Sequence, residues 1–305
     1  MPALSRWTRV LWLALLLFPS LLHAQQVALT FDDLPAHGEL PPGMTRAEVA
    51  QKVLAILKAH HVKQAYGFIN AQKLERVPAD RDVLTQWIAA GYPLGNHTFS
   101  HSHIEDLTAE QYEADIAANE PTLKELMPKG NWHWFRYPFL EEGDTPEKYH
   151  AVRDYLQQHG YRVAQITLDF HDYGWNGAYA RCTAKNDTAA LEWLQQSYLD
   201  SANAYIDFGQ QTSKLLFGRD VKHVMLLHLG AFETEMLPQL LDLLQKRHFK
   251  IVTLEKAQSD PIYKLNPEGL TSWGGPIIEQ LAEARKVKLP PVQEWPEQKL
   301  EELCK

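Results

Sequence analysis

The sequence predicts an α/β protein with a mainly parallel sheet and its helices outside. Two observations carry this. Strand-like apolar runs alternate with stretches of helical spacing from Val27 to Leu254, the pattern of strand, crossover helix and parallel strand. The unusual polar residues, Asp32, Asp33, His97, Arg136, Asp169, Asp172 and His228, all stand at or just beyond the C-terminal end of a strand-like run. A doubly wound sheet and a barrel both satisfy the alternation, but polar residues gathered at one end mark the rim where α/β barrels build their sites. No Gly/Ser-rich or charged run divides residues 25–254, and no repeat of fixed period occurs.

The elements follow in order. Residues 1–24 hold Arg6 and Arg9, an apolar stretch from Val10 to Phe18, and Leu22-His23-Ala24, the three-part layout of a secretory signal peptide. The apolar core is short of the roughly 20 residues of a spanning helix, so cleavage after Ala24 is expected, with a secreted or periplasmic product and no membrane span. The apolar run Val27–Phe31 leads into the two aspartates. Val49, Val53, Leu54, Ile56 and Leu57 recur at helical spacing before the strand-like Ala65–Ile69. A helix over Arg81–Ala90 stops at Gly91 and leads to Pro93-Leu94-Gly95-Asn96. Thr108, with Glu110 and Gln111 behind it, caps a helix to Met127, followed by strand-like Trp132–Tyr137. Pro146 suits the first position of a helix running from Thr145 to His159, and Gly160 ends it before Arg162–Thr167. A long helix fills Thr188–Phe217 and is expected to carry an inserted, substrate-shaping piece. Strand Lys222–Leu227, helix Glu235–Arg247 and strand Lys250–Leu254 complete the alternation. The catalytic domain is therefore placed at 25–258, with 259–305 a proline-containing tail wrapping the barrel.

Loss of residues 1–24 removes two of the 30 basic residues and none of the 38 acidic ones, leaving 28 against 38, a net charge of −10. That balance argues against nucleic acid as a partner. Cys182 and Cys304 are the only cysteines; they could close one bridge in an oxidising compartment or remain thiols, and their spacing does not decide.

Asp33 with His97 and His101 supplies three ligands of the kinds a zinc-like ion takes, leaving a position for water. Asp32 stands beside them as a base. In isolation each part has a plainer explanation: an Asp pair caps turns, and histidines at i and i+4 meet on one face wherever the segment is helical. No Glu follows His97, so the zinc-protease pattern His-Glu-x-x-His is absent.

Taken together, the motifs resemble those of the polysaccharide deacetylase family, carbohydrate esterase family 4, with its NodB homology domain. Thr30-Phe31-Asp32-Asp33, His97-Thr98-Phe99-Ser100-His101, Arg136-Tyr137-Pro138-Phe139, Asp169 to Tyr173 and Leu226-Leu227-His228 follow the family's order of five. The resemblance implies a distorted, incomplete (β/α) barrel and metal-dependent removal of N-acetyl groups from an N-acetylhexosamine polysaccharide such as peptidoglycan or a chitin-like chain. It makes Asp33, His97 and His101 the ligands of one divalent ion, zinc first, with cobalt or nickel as alternatives. Asp32 becomes the base for a metal-held water, His228 the acid for the leaving amine, Arg136 the holder of Asp32 in its ionised form, and Asp172, in preference to Asp169, the holder of His228. The Phe139 N–H would be the oxyanion donor. Phe139, Tyr173, Trp175 and Leu226 are the expected substrate contacts, with Trp134 a further stacking candidate, and His37, His103 and His171 could line the cleft. His60, His61, His159 and His248 fit surface positions near helix ends. A monomer is expected. Two readings compete: an O-acetyl esterase of the same fold, and a non-catalytic glycan-binding protein. The chain departs from the family in Leu34-Pro35-Ala36-His37-Gly38, where a glycine usually follows the aspartates, in Phe139 where tyrosine is common, and in a stretched fourth motif.

Overall fold

The computed structural model describes residues 25–267 and 274–305, so the signal-peptide expectation for residues 1–24 lies outside the described residues. In chain order the elements are β1 (Gln25–Leu34), α1 (Arg46–Ala59), β2 (Ala65–Ile69), α2 (Gln72–Arg76), α3 (Arg81–Ala89), β3 (Leu94–Asn96), α4 (Ala109–Leu126), β4 (Trp134–Phe135), α5 (Pro146–Gln158), β5 (Arg162–Val163), α6 (Gly174–Lys185), α7 (Thr188–Phe217), β6 (His223–His228), α8 (Glu233–Lys246), β7 (Phe249–Ile251), α9 (Leu254–Ala257), α10 (Ile277–Ala284) and α11 (Glu297–Glu302). The strands run parallel in the order β5-β4-β3-β2-β1-β6, with β7 pairing the first residues of β1. Past β5 the chain crosses to the far edge, where Leu168 bridges Met225 and accepts the Leu226 N–H at 3.0 Å. One bridge in place of a full ladder draws the curled sheet toward closure. The result is the distorted, incomplete (β/α) barrel expected.

Period-two alternation sorts the strand residues. Ala28, Tyr66, Phe68, Trp134, Ala164, Ile166, Val224 and Leu226 fill the inside of the curl as one cluster. Thr30, Asp32, Arg136 and His228 continue the same rows to the C-terminal rim. Val27, Leu29, Phe31, Ile69, Leu94, Phe135, Met225 and Leu227 point the other way and join the larger core beneath the helices. Trp87 of α3 is fully buried there, edge-on to Phe31 at 5.4 Å, and burial of such a side chain contributes roughly 2–3 kcal/mol.

The helices start where their caps stand. Thr45 with Glu48, and Thr108 with Gln111, form capping boxes on α1 and α4. Asp187 caps α7, and Gly218, in the left-handed conformation at φ 68°, ends it. That helix is continuous over Thr188–Phe217, and its Tyr205 and Phe208 line the cleft described below. Strands β4 and β5 are shorter than the runs 132–137 and 162–167 predicted. Pro138 has no N–H to pair, and beyond Val163 the chain leaves its neighbour to reach β6. Helix α6 was not expected, and β7 ends at Ile251, because Thr253 caps the single turn of α9.

The tail is firmly seated. The Ile277 N–H donates to the Ile166 carbonyl at 2.9 Å, and Ile277, Ile278 and Leu281 pack with Val221 and Ile262. Cys182 of α6 and Cys304 are bridged, their Cα atoms 5.2 Å apart. Among the described residues no helix is long and apolar enough to cross a membrane.

Candidate active site

Between the pairs Phe31–Gly67 and Leu34–Ile69, β1 holds one residue more than β2. This bulge falls on Asp32 and Asp33, and Asp33 takes a left-handed backbone at φ 66°. Consecutive strand residues face opposite ways; the bulge re-aims the second one, so both carboxylates face the cleft. Asp32 is buried and receives the Arg136 guanidinium at 3.1 and 3.3 Å. Arg136 is itself anchored by the Ala164 carbonyl at 2.6 Å and Thr30 Oγ1 at 3.2 Å, and lies over the Phe68 ring. Burial pushes Asp32 up to about 6 despite Arg136 and His228, so the guanidinium limits the rise in its pKa without reversing it.

Asp33, His97 and His101 place their ligand atoms within 4.8 Å of one another. His101 Nε2 lies 3.2 Å and His97 Nε2 4.0 Å from Asp33 Oδ1. His97 Nδ1 donates to the Arg136 carbonyl at 2.8 Å, which leaves Nε2 as the free lone pair. Burial lowers the pKa of both histidines, that of His97 strongly, and neutral imidazoles are what a cation requires. Burial opposes ionisation of Asp33, but Lys73 and a hydrogen bond from His37 hold it well below the usual carboxylate range. A neutral, neutral and anionic donor set of this kind fits one divalent ion. The histidines converge without a helix: residues 97–103 are irregular, Thr98 and His101 are left-handed at φ 60° and 59°, and Asn70 Nδ2 binds the carbonyls of His97 and Thr98.

Across the cleft, His228 Nδ1 lies 2.8 Å from Asp172 Oδ1, and its own N–H donates to Asp172 Oδ2 at 2.7 Å. Burial works against the charged ring, yet Asp172 prevails and raises His228 to about 9. Asp169 is engaged elsewhere, accepting the His171 N–H at 2.8 Å. Between the two centres stands His37, 2.8 Å from Asp33 Oδ2 and with its ring 4.7 Å from that of His228. The loop around it is clamped by Arg46 on the His37 carbonyl at 2.8 Å and by Lys73 on the Asp33 and Ala36 carbonyls at 3.0 and 3.1 Å.

The cleft holds about 530 Å³ and is lined by Asp32, Asp33, His97, His101 and His228, with His37, His103 and His171 among their neighbours. Phe139 and Tyr173 are exposed at its two sides, and Leu226 lines it. Phe139 stacks on His103 at 3.7 Å. Trp175 and Trp134 are corrections. Trp175 is 0% exposed, its indole N–H donating to Ser197 Oγ at 2.9 Å; it sits on the core side of α6 with Ala178, Tyr179 and Cys182. Trp134 is inside the barrel beneath Arg162. Neither can stack on a sugar. Sequence reasoning passed over Lys73, whose ammonium lies 3.2 Å from Asp33 Oδ1 and 3.1 Å from Asn70 Oδ1. It also missed Asn70, although both stand just past the end of β2, where the rim pattern points.

Residues 22–164 match the profile of the polysaccharide deacetylase family. A peptidoglycan-N-acetylglucosamine deacetylase of Bacillus cereus is 27% identical over 164 residues, covering 53% of this chain and 50% of that protein; the chain thus spans about half the length of that relative. The solved chitin deacetylase of Colletotrichum lindemuthianum superposes with a TM-score of 0.52 over 77% of this chain and 88% of that one at 20% identity. A carbohydrate esterase family 4 pseudoenzyme of Bacillus anthracis gives 0.53 over 77% and 66% at 15% identity. Both structures share the fold.

Proposed function

Residues 22–164 belong to the polysaccharide deacetylase family, and from that premise we propose an exported, metal-dependent hydrolase that removes N-acetyl groups from an N-acetylhexosamine polysaccharide, peptidoglycan or a chitin-like chain. The convergence of Asp33, His97 and His101 beside Asp32 and opposite His228 carries this reading. Zinc suits the donor set, with cobalt or nickel as alternatives. When bound, the ion supplies a Lewis acid for the acetamide carbonyl and lowers the pKa of water. Asp32, held by Arg136, takes the proton of the attacking water. His228, kept protonated by Asp172, gives its proton to the departing amine. The Phe139 N–H would serve as donor to the developing oxyanion, as the family resemblance implies, while Phe139 and Tyr173, exposed at the cleft, offer apolar rings to the sugar.

A ready acid favours amide over ester. An amine leaves only once protonated, whereas an alkoxide depends on this less, and His228 at about 9 retains its proton at neutral pH. Export is supported by the pattern of residues 1–24 and by the bridge, which persists in oxidising compartments. The test is metal content after dialysis against a weak chelator, in the parent and in His97→Ala, with acetate release from N-acetyl and O-acetyl polymers. About one ion per parent chain, none in the variant and acetate from the N-acetyl polymer are expected. No ion in either protein after added zinc would leave glycan binding without hydrolysis, and release from the O-acetyl polymer alone would make the protein an esterase.

A further inference from the structure

The barrel motifs account for one side of the cleft; the other is built by the tail. Gly274–Pro276, Glu279 and Val292 line the same cavity as Asp32 and His228. At one end the tail lies flush against the third motif: a Cβ on Gly274, at φ 25°, would come within 2.3 Å of the Phe139 carbonyl oxygen. At the other end Trp295 stacks on His171 at 5.1 Å and 24°, meets Tyr173 edge-on at 5.8 Å, and would stand 2.3 Å from a Cβ on Gly174. The tail is therefore seated on both loops that carry the chemistry. It is also fastened beyond the cleft. Arg181 holds the carbonyls of Leu300, Glu301 and Leu303 at 2.7, 3.1 and 3.1 Å, and Cys304 is bridged to α6.

The wall so formed has the chemistry of a sugar site: rings for the C–H faces and a few acceptors for hydroxyls. His171, backed by Trp295, and Tyr205 supply the rings, and Asp169 and Glu279 the polar atoms. Burial and the nearby Asp169 push Glu279 up to about 7, so near neutrality it can donate as well as accept.

We propose that residues 274–296 are the second wall of the cleft and form, with His171 and Tyr205, a binding site for a neighbouring sugar of the same glycan chain, so that the tail sets how strongly the cleft prefers a longer chain. This rests on the deacetylase reading above. Calorimetric titration with the dimer and pentamer of N-acetylglucosamine tests it, in the parent, Trp295→Ala and Glu279→Ala. The parent should bind the pentamer roughly tenfold more tightly than the dimer, and both variants should lose most of that ratio. Equal affinity for the two lengths in the parent, or variants that weaken both lengths by the same factor, as general loosening would, overturns the proposal. Glu279, partly buried on α10, carries the test if Trp295→Ala does not fold. Acetate release is followed separately: a length advantage that the variants lose, with no acetate released by the parent, would sink the deacetylase reading and leave the wall standing.

Discussion

On the proposed reading Asp32 and His228 divide the proton handling, and their surroundings suit that division: burial raises Asp32 to about 6 and Asp172 raises His228 to about 9. Below about 6 Asp32 holds a proton and cannot accept another; above about 9 His228 has lost the one it must give. The profile of kcat/KM should therefore rise through about 6 and fall through about 9. Asp172→Asn removes the charge that raises His228, so the basic limb should move down by roughly 1–2 units with metal retained. An unmoved basic limb would show that another group is the acid. Most of these residues were legible, because Asp32, Asp33, His97, Arg136, Asp172 and His228 each stand at or just beyond the end of a strand-like run. Asp172, and not Asp169, makes two contacts with His228, which the stretched motif could not reveal. Trp175 was misplaced because closeness in sequence to Tyr173 does not say which side of a helix a ring takes. The spacing of Trp175, Ala178, Tyr179 and Cys182 was the available sign of a buried face. Lys73 left little sign, since a lysine at a helix start usually reads as solvated.

At the level of elements, long periodic segments with caps were readable and short pieces were not. Helix α7 begins and ends at the residues predicted, Thr188 and Phe217, since its apolar period and terminal glycine agree. Helix α6 was hidden by Gly174 and Gly177 and by an N-terminus with no side-chain cap. The two-residue strands β4 and β5 are held by tertiary pairing and not by their own propensity. That pairing is tight where β3 passes its neighbours. A Cβ on Gly95 would lie 2.7 Å from both the Phe68 ring and the Trp134 carbonyl, so Gly95→Ala should destabilise the fold by about 1–3 kcal/mol in denaturant titration. Unchanged stability would mean that the strands separate more readily than their packing implies.

For the whole molecule, alternation of strands and helices could not choose between an open sheet and a barrel; the gathering of polar residues at one rim could. The tail carried no pattern because its placement depends on close approaches, such as Gly274 against Phe139, and on the Cys182–Cys304 bridge across a sequence separation of 122. Opening that bridge with Cys182→Ala/Cys304→Ala should lower unfolding stability by on the order of 4 kcal/mol, read in the same titration. A loss below a few tenths would mean that Arg181 and the packing of the tail suffice. The sheet register holds a further consequence. Asp32 and His228 are direct partners in the ladder between β1 and β6, so backbone pairing, at about 4.8 Å between strands, sets the spacing of these two residues. On the proposed reading, the loops around the cleft can then differ in length and shape while the interval between the proton acceptor and the proton donor stays fixed by the sheet.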